Sequence, residues 1–379
     1  MNYYLLPKNI IDIKIRLNYN NIIEPYVSNS LNFFLNKKQE QLNKQEINEN
    51  ELTNIKNVVN YLNCVFSNNN FVSKLNILNQ RYYELIEVIS ICGIKDILVN
   101  KSTLVSAHIS PNYNITNSLF SSYRNNSSTD ITYSCGFYYN LINNLFFNID
   151  NINKLDLLYF EFKEADYKDV RILSKNIIIM LYLICKTLNN GGSILFRMES
   201  CIYKIVIEFI YLCSSFFDKT IMIKPVISNV TDNTRFFVCK GFNQEQNIIN
   251  KLLINLEDVV YTYINNINNT SNIITGVYID SIIENKIPYY FINKIEELNV
   301  VLGQQQIDSL EQAICLIKNK NRDEKIEILR KSNIPKAIQW CEKFNIPHSK
   351  LNDKPNIFLK RNDFENININ NDNTNNLNI

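Results

Sequence analysis

The spacing of apolar positions divides the chain into four parts. Apolar residues at Ile55, Val58, Val59, Leu62 and Val65 follow the period of one helix face. Residues 37–50 (KKQEQLNKQEINEN) are polar and read as solvent-exposed, so residues 1–75 read as an N-terminal, partly helical extension. From 76 to 242 helical and strand-like segments alternate, which is the mark of an α/β unit. Residues 82–91 predict a helix with Leu85, Val88 and Ile89 on one face, and 103–107 predict a short strand. Residues 155–160 (LDLLYF) predict a buried strand, apolar except for Asp156. A long helix over 169–188 closes at Asn189-Asn190-Gly191-Gly192, where glycine allows the positive φ of a helix end. Strand 193–198 (SILFRM), helix 202–217, strand 220–224 (TIMIK) and strand 235–240 (RFFVCK) follow. Residues 243–361 predict a mostly helical segment, with Pro288, Pro335, Pro347 and Pro355 as breakers. Residues 362–379 are Asn-rich and read as a disordered tail.

Hydrophobic residues fill 46% of 379 positions, with 22 Tyr and 21 Phe, which suits a large core and excludes disorder over most of the chain. The chain holds 7 Gly and 8 Pro. Average usage would give roughly 26 and 19. Neither GxGxxG nor GxxxxGK[ST] occurs, which argues against nucleotide sites built on Gly-rich loops. About one residue in six is Asn, a bias that suits an A+T-rich genome, so single Asn residues carry little functional weight. The 39 Lys+Arg and 37 Asp+Glu give a formal charge of +2. That is no nucleic-acid coat, and any RNA contact must come from a local patch. Nine Cys are scattered without a CxxC pair, and several, such as Cys185 and Cys213, lie in apolar runs. They read as buried free thiols of a reducing compartment. With only His108 and His348, no metal site is expected. Residues 1–7 lack the features of a signal peptide, and the apolar stretch 176–188 is too short to span a bilayer. The expectation is an intracellular, cytoplasmic protein with no membrane contact.

Four segments carry a resemblance: LDLLYFE (155–161), LNNGGSILFRM (188–198), FFDKTIMIKPVIS (216–228) and RFFVCKGF (235–242). In this order and spacing they resemble the FtsJ family of S-adenosylmethionine-dependent RNA ribose 2′-O-methyltransferases. The family pattern reads D-L-V-x-x-D, then L-K-P-G-G-x-x-V-x-K, then F-F-x-x-V-x-x-x-K-P-x-x-S-R, closing on V-C-x-G-F. NQRYYELIEV (79–88) is similar to the family's opening helix, S-R-A-x-x-K-L-x-E-I. LVSAHISPNYN (104–114) falls on its cofactor turn, V-D-L-G-A-A-P-G-G-W, aligned on Pro111. The resemblance implies an α/β fold with a Rossmann-like class I methyltransferase sheet over 76–242, flanked by helical N- and C-terminal extensions. It also implies S-adenosyl-L-methionine as cofactor and mRNA caps or rRNA as substrate. FtsJ-like proteins of large A+T-rich DNA viruses carry such extensions, which would place this one in a virus factory or virion.

The residues that do the family's chemistry are replaced. A cofactor turn needs glycine where backbone approaches the ligand, and an acidic residue for a cofactor hydroxyl. Here the two glycines become Asn112 and Tyr113 after Pro111, and the acidic position becomes Ser106. The family's Lys-Asp-Lys-Glu tetrad, whose central Lys takes the ribose hydroxyl proton, falls on Glu84, Glu161, Arg197 and Thr234. A guanidinium stays protonated and cannot serve as that base. Glu161 and Arg197 are expected to pair at the old cleft, and His108 to be a solvent-facing loop residue. The resulting expectation is an FtsJ-like protein with degenerate cofactor loop and tetrad. The alternatives are a non-catalytic RNA-binding or scaffolding subunit with a protein partner, or an enzyme with a rearranged set of Glu84, Glu161 and Arg197.

Overall fold

The computed structural model describes residues 2–9, 13–45, 48–66, 72–75, 77, 79–124, 129–135, 154–199, 201–243, 247–265, 277–319 and 321–349. The expected tail at 362–379 and Pro355 lie outside them. The chain is an α/β protein built on one seven-stranded mixed sheet. Four neighbouring strands are parallel: β4 (Ile131–Cys135), β3 (Val105–Ile109), β5 (Leu155–Glu161) and β6 (Leu188–Met198). Beyond β6 the sheet turns antiparallel, through β8 (Arg235–Phe242), β7 (Phe217–Lys224) and β1 (Asn2–Leu5). A second, two-stranded sheet pairs β2 (Ile15–Asn20) with β9 (Tyr278–Ile283).

The strands of this sheet read as near-continuous apolar runs because both faces are covered. Along β6 to β8 the side chains alternate between two cores. Ile194, Phe196, Met222, Phe237 and Cys239 face one, while Leu195, Ile221, Ile223, Phe236 and Val238 face the other. The first core is closed by α6 (Val170–Thr187), α7 (Lys204–Phe216), α8 (Asn247–Asn265) and the start of α9 (Tyr289–Ile317). The second lies under α3 (Gln80–Ile91), α4 (Lys95–Asn100), α5 (Tyr113–Tyr123) and the end of α10 (Arg322–Lys343). A third, smaller core joins α1 (Asn29–Asn43) and α2 (Glu49–Val59) to the end of α9 and to α10.

The expected helix end at Gly191-Gly192 is corrected: the helix stops at Thr187, and both glycines lie inside the start of β6, which needs them. Gly191 has φ +79°, and a Cβ on Gly192 would stand 2.7 Å from Leu188 Cγ and 2.8 Å from the Asn189 carbonyl. Asp156, the exception in its apolar run, accepts from Lys101 Nζ (2.5 Å), Val105 N (3.0 Å) and Asn189 Nδ2 (3.0 Å). It therefore ties the starts of β3 and β6 to β5.

Several expectations are corrected. The N-terminal part contributes strands as well as helices, because β1 pairs along the edge of the main sheet and β2 along β9. Both are too short to declare a period. The strand predicted at 103–107 lies two residues later, at β3. Pro335 does not break its helix but sits inside α10. It is exposed, so the carbonyl it leaves without a donor faces water. Pro288 caps α9 instead of ending an element. Among the described residues six cysteines are buried free thiols, whereas Cys64 is half-buried and Cys315 exposed. No helix of the described residues is long and apolar enough to cross a membrane.

Glu87 locks the helical layer to the sheet. Its carboxylate accepts from the N–H groups of Val226 (2.9 Å) and Ile227 (3.3 Å), which follow β7, and from Trp340 Nε1 on α10 (2.9 Å). Removing it strands two buried donors and one half-buried donor, each buried one worth about 1–3 kcal/mol when unsatisfied. Glu87→Ala is therefore expected to lower unfolding free energy by roughly 3 kcal/mol or more. Urea unfolding followed by the emission of Trp340, the single tryptophan, measures it. A loss below about 1 kcal/mol would contradict the lock.

Candidate functional site

The C-terminal ends of β5 and β6 lie side by side, with Glu161 directly across from Arg197. Both side chains point to the face covered by α3, the parity of Tyr159 and Leu195. In open α/β sheets this end of the parallel strands is where ligands bind. Here it holds charge. Arg197 Nη1 lies 3.5 Å from Glu161 Oε1, and Arg197 Nε lies 3.5 Å from Glu84 Oε2 on α3. Arg197 Nη2 donates to Thr234 Oγ1 at 3.1 Å, just before β8. The four positions Glu84, Glu161, Arg197 and Thr234, far apart in sequence, thus surround one point, and all are buried. The expected Glu161–Arg197 pair is present, with Glu84 as a second anion.

Four further residues complete the cluster. Arg81, one turn before Glu84 on α3, brings Nε to 2.7 Å from Glu161 Oε1, and Nη2 to 3.7 Å from Glu164. Ser110 donates its hydroxyl to Glu161 Oε2 at 2.7 Å, and Tyr159 donates to the same oxygen at 3.2 Å. Tyr167 donates to the Arg197 carbonyl at 2.5 Å. The motif reading missed these residues. An Arg three positions before a Glu on one helix face is a signal that could have found Arg81. Ser110 and Tyr159 carry none.

Two guanidinium groups face two carboxylates, so the formal charge of the cluster is zero. Burial opposes the charge of Arg197, but Glu84 and Glu161 outweigh it and hold the guanidinium still more firmly protonated. Burial raises the Glu84 carboxyl, and Arg197 opposes this. Among the described residues, Glu84 Oε2, Glu161 Oε1 and Arg197 Nε have no hydrogen-bond partner. Their contacts are Coulombic, which is strong only while water is kept out. At the end of β7, Lys224 is buried and its ammonium donates to the Asp232 carbonyl at 2.5 Å. Burial lowers its pKa, and Asp232 opposes this.

The proposed cofactor turn lies on the same face. Ser106, His108 and Ser110 alternate with Ala107 and Ile109, which belong to the opposite core. Ser106 Oγ is buried, 3.2 Å from His108 Nε2 and 3.4 Å from Thr132 Oγ1. Pro111 is exposed, Asn112 and Tyr113 are half-buried, and Tyr113 begins α5. The Asn112 N–H donates to Ser110 Oγ at 3.0 Å, so the turn is held by the hydroxyl that also serves Glu161.

His108 is corrected from a solvent-facing loop residue to a fully buried one on β3. Its Nδ1 lies 2.8 Å from Thr116 Oγ1, and Phe120 packs edge-on against the ring at 4.6 Å. A polar stripe on this strand is buried because α5 supplies its partners. Among the described residues no group of three or more His, Cys, Asp or Glu could hold a metal ion. The sequence matches no protein-family model and no curated protein.

Burial lowers the His108 pKa from 6.5 to about 3. Between these values the unfolded chain binds a proton that the native protein does not. Stability from this group therefore rises with pH across the window and is lost as pH falls toward 3, at about 1.4 kcal/mol per pH unit. Glu84, Glu87 and Glu208, whose carboxyls burial raises, act in the opposite sense. The clean readout is a comparison with His108→Gln. Between about pH 4 and 6 the variant's stability should rise with pH less steeply, by up to that amount. Parallel curves would count against a neutral buried imidazole.

Proposed function

We propose that this chain is an FtsJ-like, class I methyltransferase-fold protein whose catalytic positions have become a structural ion cluster. On this reading it acts as a non-catalytic subunit. The observation that carries it is the convergence of Glu84, Glu161, Arg197 and Thr234, the four positions where the resemblance puts the tetrad. The sheet supports the same reading. Its central parallel strands run in the order β4-β3-β5-β6, and antiparallel β8 is inserted between β6 and β7. With β1 added at the edge, this order is compatible with that fold.

The charges explain how the set could change. The family's two Lys, one Asp and one Glu sum to zero. Here Glu84 reverses one charge and Thr234 removes another, while Arg81 supplies the missing cation. Neutrality is preserved, and proton transfer is lost. Arg197 remains protonated, and Glu161 is occupied by Arg81, Ser110 and Tyr159.

The residues at the cofactor turn do not fit S-adenosyl-L-methionine. Ser106 offers no carboxylate, and its hydroxyl faces His108 and Thr132. Asn112 and Tyr113 stand where glycines would let backbone approach the ligand. A formal charge of +2 favours a protein partner over an RNA coat. So do the exposed Phe33 and Phe34 of α1 and the exposed Tyr289 and Tyr290 at the start of α9.

Calorimetric titration of the full chain with S-adenosyl-L-methionine, joined to a methyl-transfer assay on capped RNA, tests the reading. No saturable heat and no transfer are expected. Micromolar binding together with transfer to a ribose 2′-hydroxyl would overturn it and favour the rearranged enzyme.

A further inference from the structure

On the outer side of α3, away from the ion cluster, a cleft of about 580 Å³ opens between α3, α4, α5 and the turn that follows α10. Its floor is one helical stripe, Tyr82, Ile86 and Ser90, at i, i+4 and i+8. One wall is α5, through Leu119 and Tyr123, and the other is Phe344, Ile346 and Pro347. The Tyr82 hydroxyl lies near Ser122 and the Tyr123 hydroxyl near Ser90, where α3 and α5 meet along the cleft. Apolar side chains, Ile86, Leu119, Phe344 and Ile346, share the lining with polar ones.

The rim carries charge. Lys95, on α4, makes no ion pair among the described residues, and the Lys343 ammonium lies over the Phe344 ring, 5.2 Å from its centroid. The one anion of the lining, Asp96, turns back over Gly93. A Cβ placed there would lie 3.8 Å from the Asp96 carboxylate and 3.1 Å from the Lys240 ammonium. Lys240 Nζ itself donates to the Cys92 and Gly93 carbonyls, so two rim lysines against the one Asp96 leave a net positive edge on a slot whose lining is both apolar and polar. The volume falls within the range of small-molecule sites, about 300–1,000 Å³.

We infer that this cleft binds a small amphipathic anion, with an apolar body on the α3 stripe and a single anionic head between Lys95 and Lys343. The inference does not depend on the proposed loss of methyl transfer.

The single tryptophan gives the test its signal, since Trp340 packs on Phe344 with ring centroids 4.9 Å apart. The full chain is titrated with anilinonaphthalene sulfonate, an aromatic amphiphile with one sulfonate, and energy transfer from Trp340 is recorded. One saturable site is expected. Decanoate and decyl phosphate should displace the probe, and decanol should not. The double variant Lys95→Glu, Lys343→Glu changes two exposed residues and should weaken binding by about tenfold or more. Ser90→Phe, at an exposed floor position, should abolish it while circular dichroism stays unchanged. Non-saturable binding, equal displacement by decanol, or an unchanged affinity in the charge-reversed variant would each overturn the inference.

Discussion

A guanidinium held out of water beside two carboxylates is the constraint on which the centre of this molecule depends. Arg197 sits at the end of β6, Glu161 at the end of β5 and Glu84 on the helix that covers them. An isolated charge in that position would be prohibitive. Arg197 is tolerable only because α3 is docked in one register, bringing Glu84 to it and Arg81 to its partner Glu161. Breaking such a buried group by removing one partner costs about 3–5 kcal/mol, whereas replacing the whole set with apolar residues can be neutral. The cluster therefore specifies how α3 meets the sheet more than it adds net stability.

The rest of the fold repeats this device at its seams. Glu87, one turn beyond Glu84, fixes α3 to the segment after β7 and to α10. Glu208 of α7 accepts from Ser281 Oγ (2.7 Å) and from the N–H groups of Ile282 (2.5 Å) and Ile283 (3.3 Å), which seats the small sheet on α7, a helix that closes one face of the large sheet. Arg235 at the start of β8 donates to Asn299 of α9 at 2.9 Å. Each junction between the central sheet and its additions carries a buried polar group with specific partners. Apolar packing supplies the bulk of the core, and these groups choose its arrangement.

Much of the sheet was legible in the sequence where apolar runs are bounded by strong punctuation. The strands read at 155–160, 193–198, 220–224 and 235–240 are marked by Gly191-Gly192, Pro225 and Gly241, and they extend in the structure to 155–161, 188–198, 217–224 and 235–242. The helix of 80–91 is marked by its period. Strands β1, β2, β4 and β9 were not legible, because four to six residues give no period and their pairing is long-range. His108 was misread because a polar strand stripe looks like a loop until the covering helix is known. The site divides in the same way. Glu84, Glu161, Arg197 and Thr234 could be named from motif spacing, since each sits at a fixed offset from a recognisable segment. Arg81, Ser110 and Tyr159 could not, because their role comes from the three-dimensional closure of α3 and the β3–α5 turn over Glu161.

The central claim is that Arg197 and Glu84 are mutually dependent parts of a structural cluster. A double-mutant cycle with Arg197→Met and Glu84→Gln, read by chemical unfolding, tests it most directly. Each single change should be strongly destabilising and the double change much less than their sum, with a coupling energy of about 2 kcal/mol or more. Additive effects, with coupling within about 0.5 kcal/mol of zero, would contradict the account.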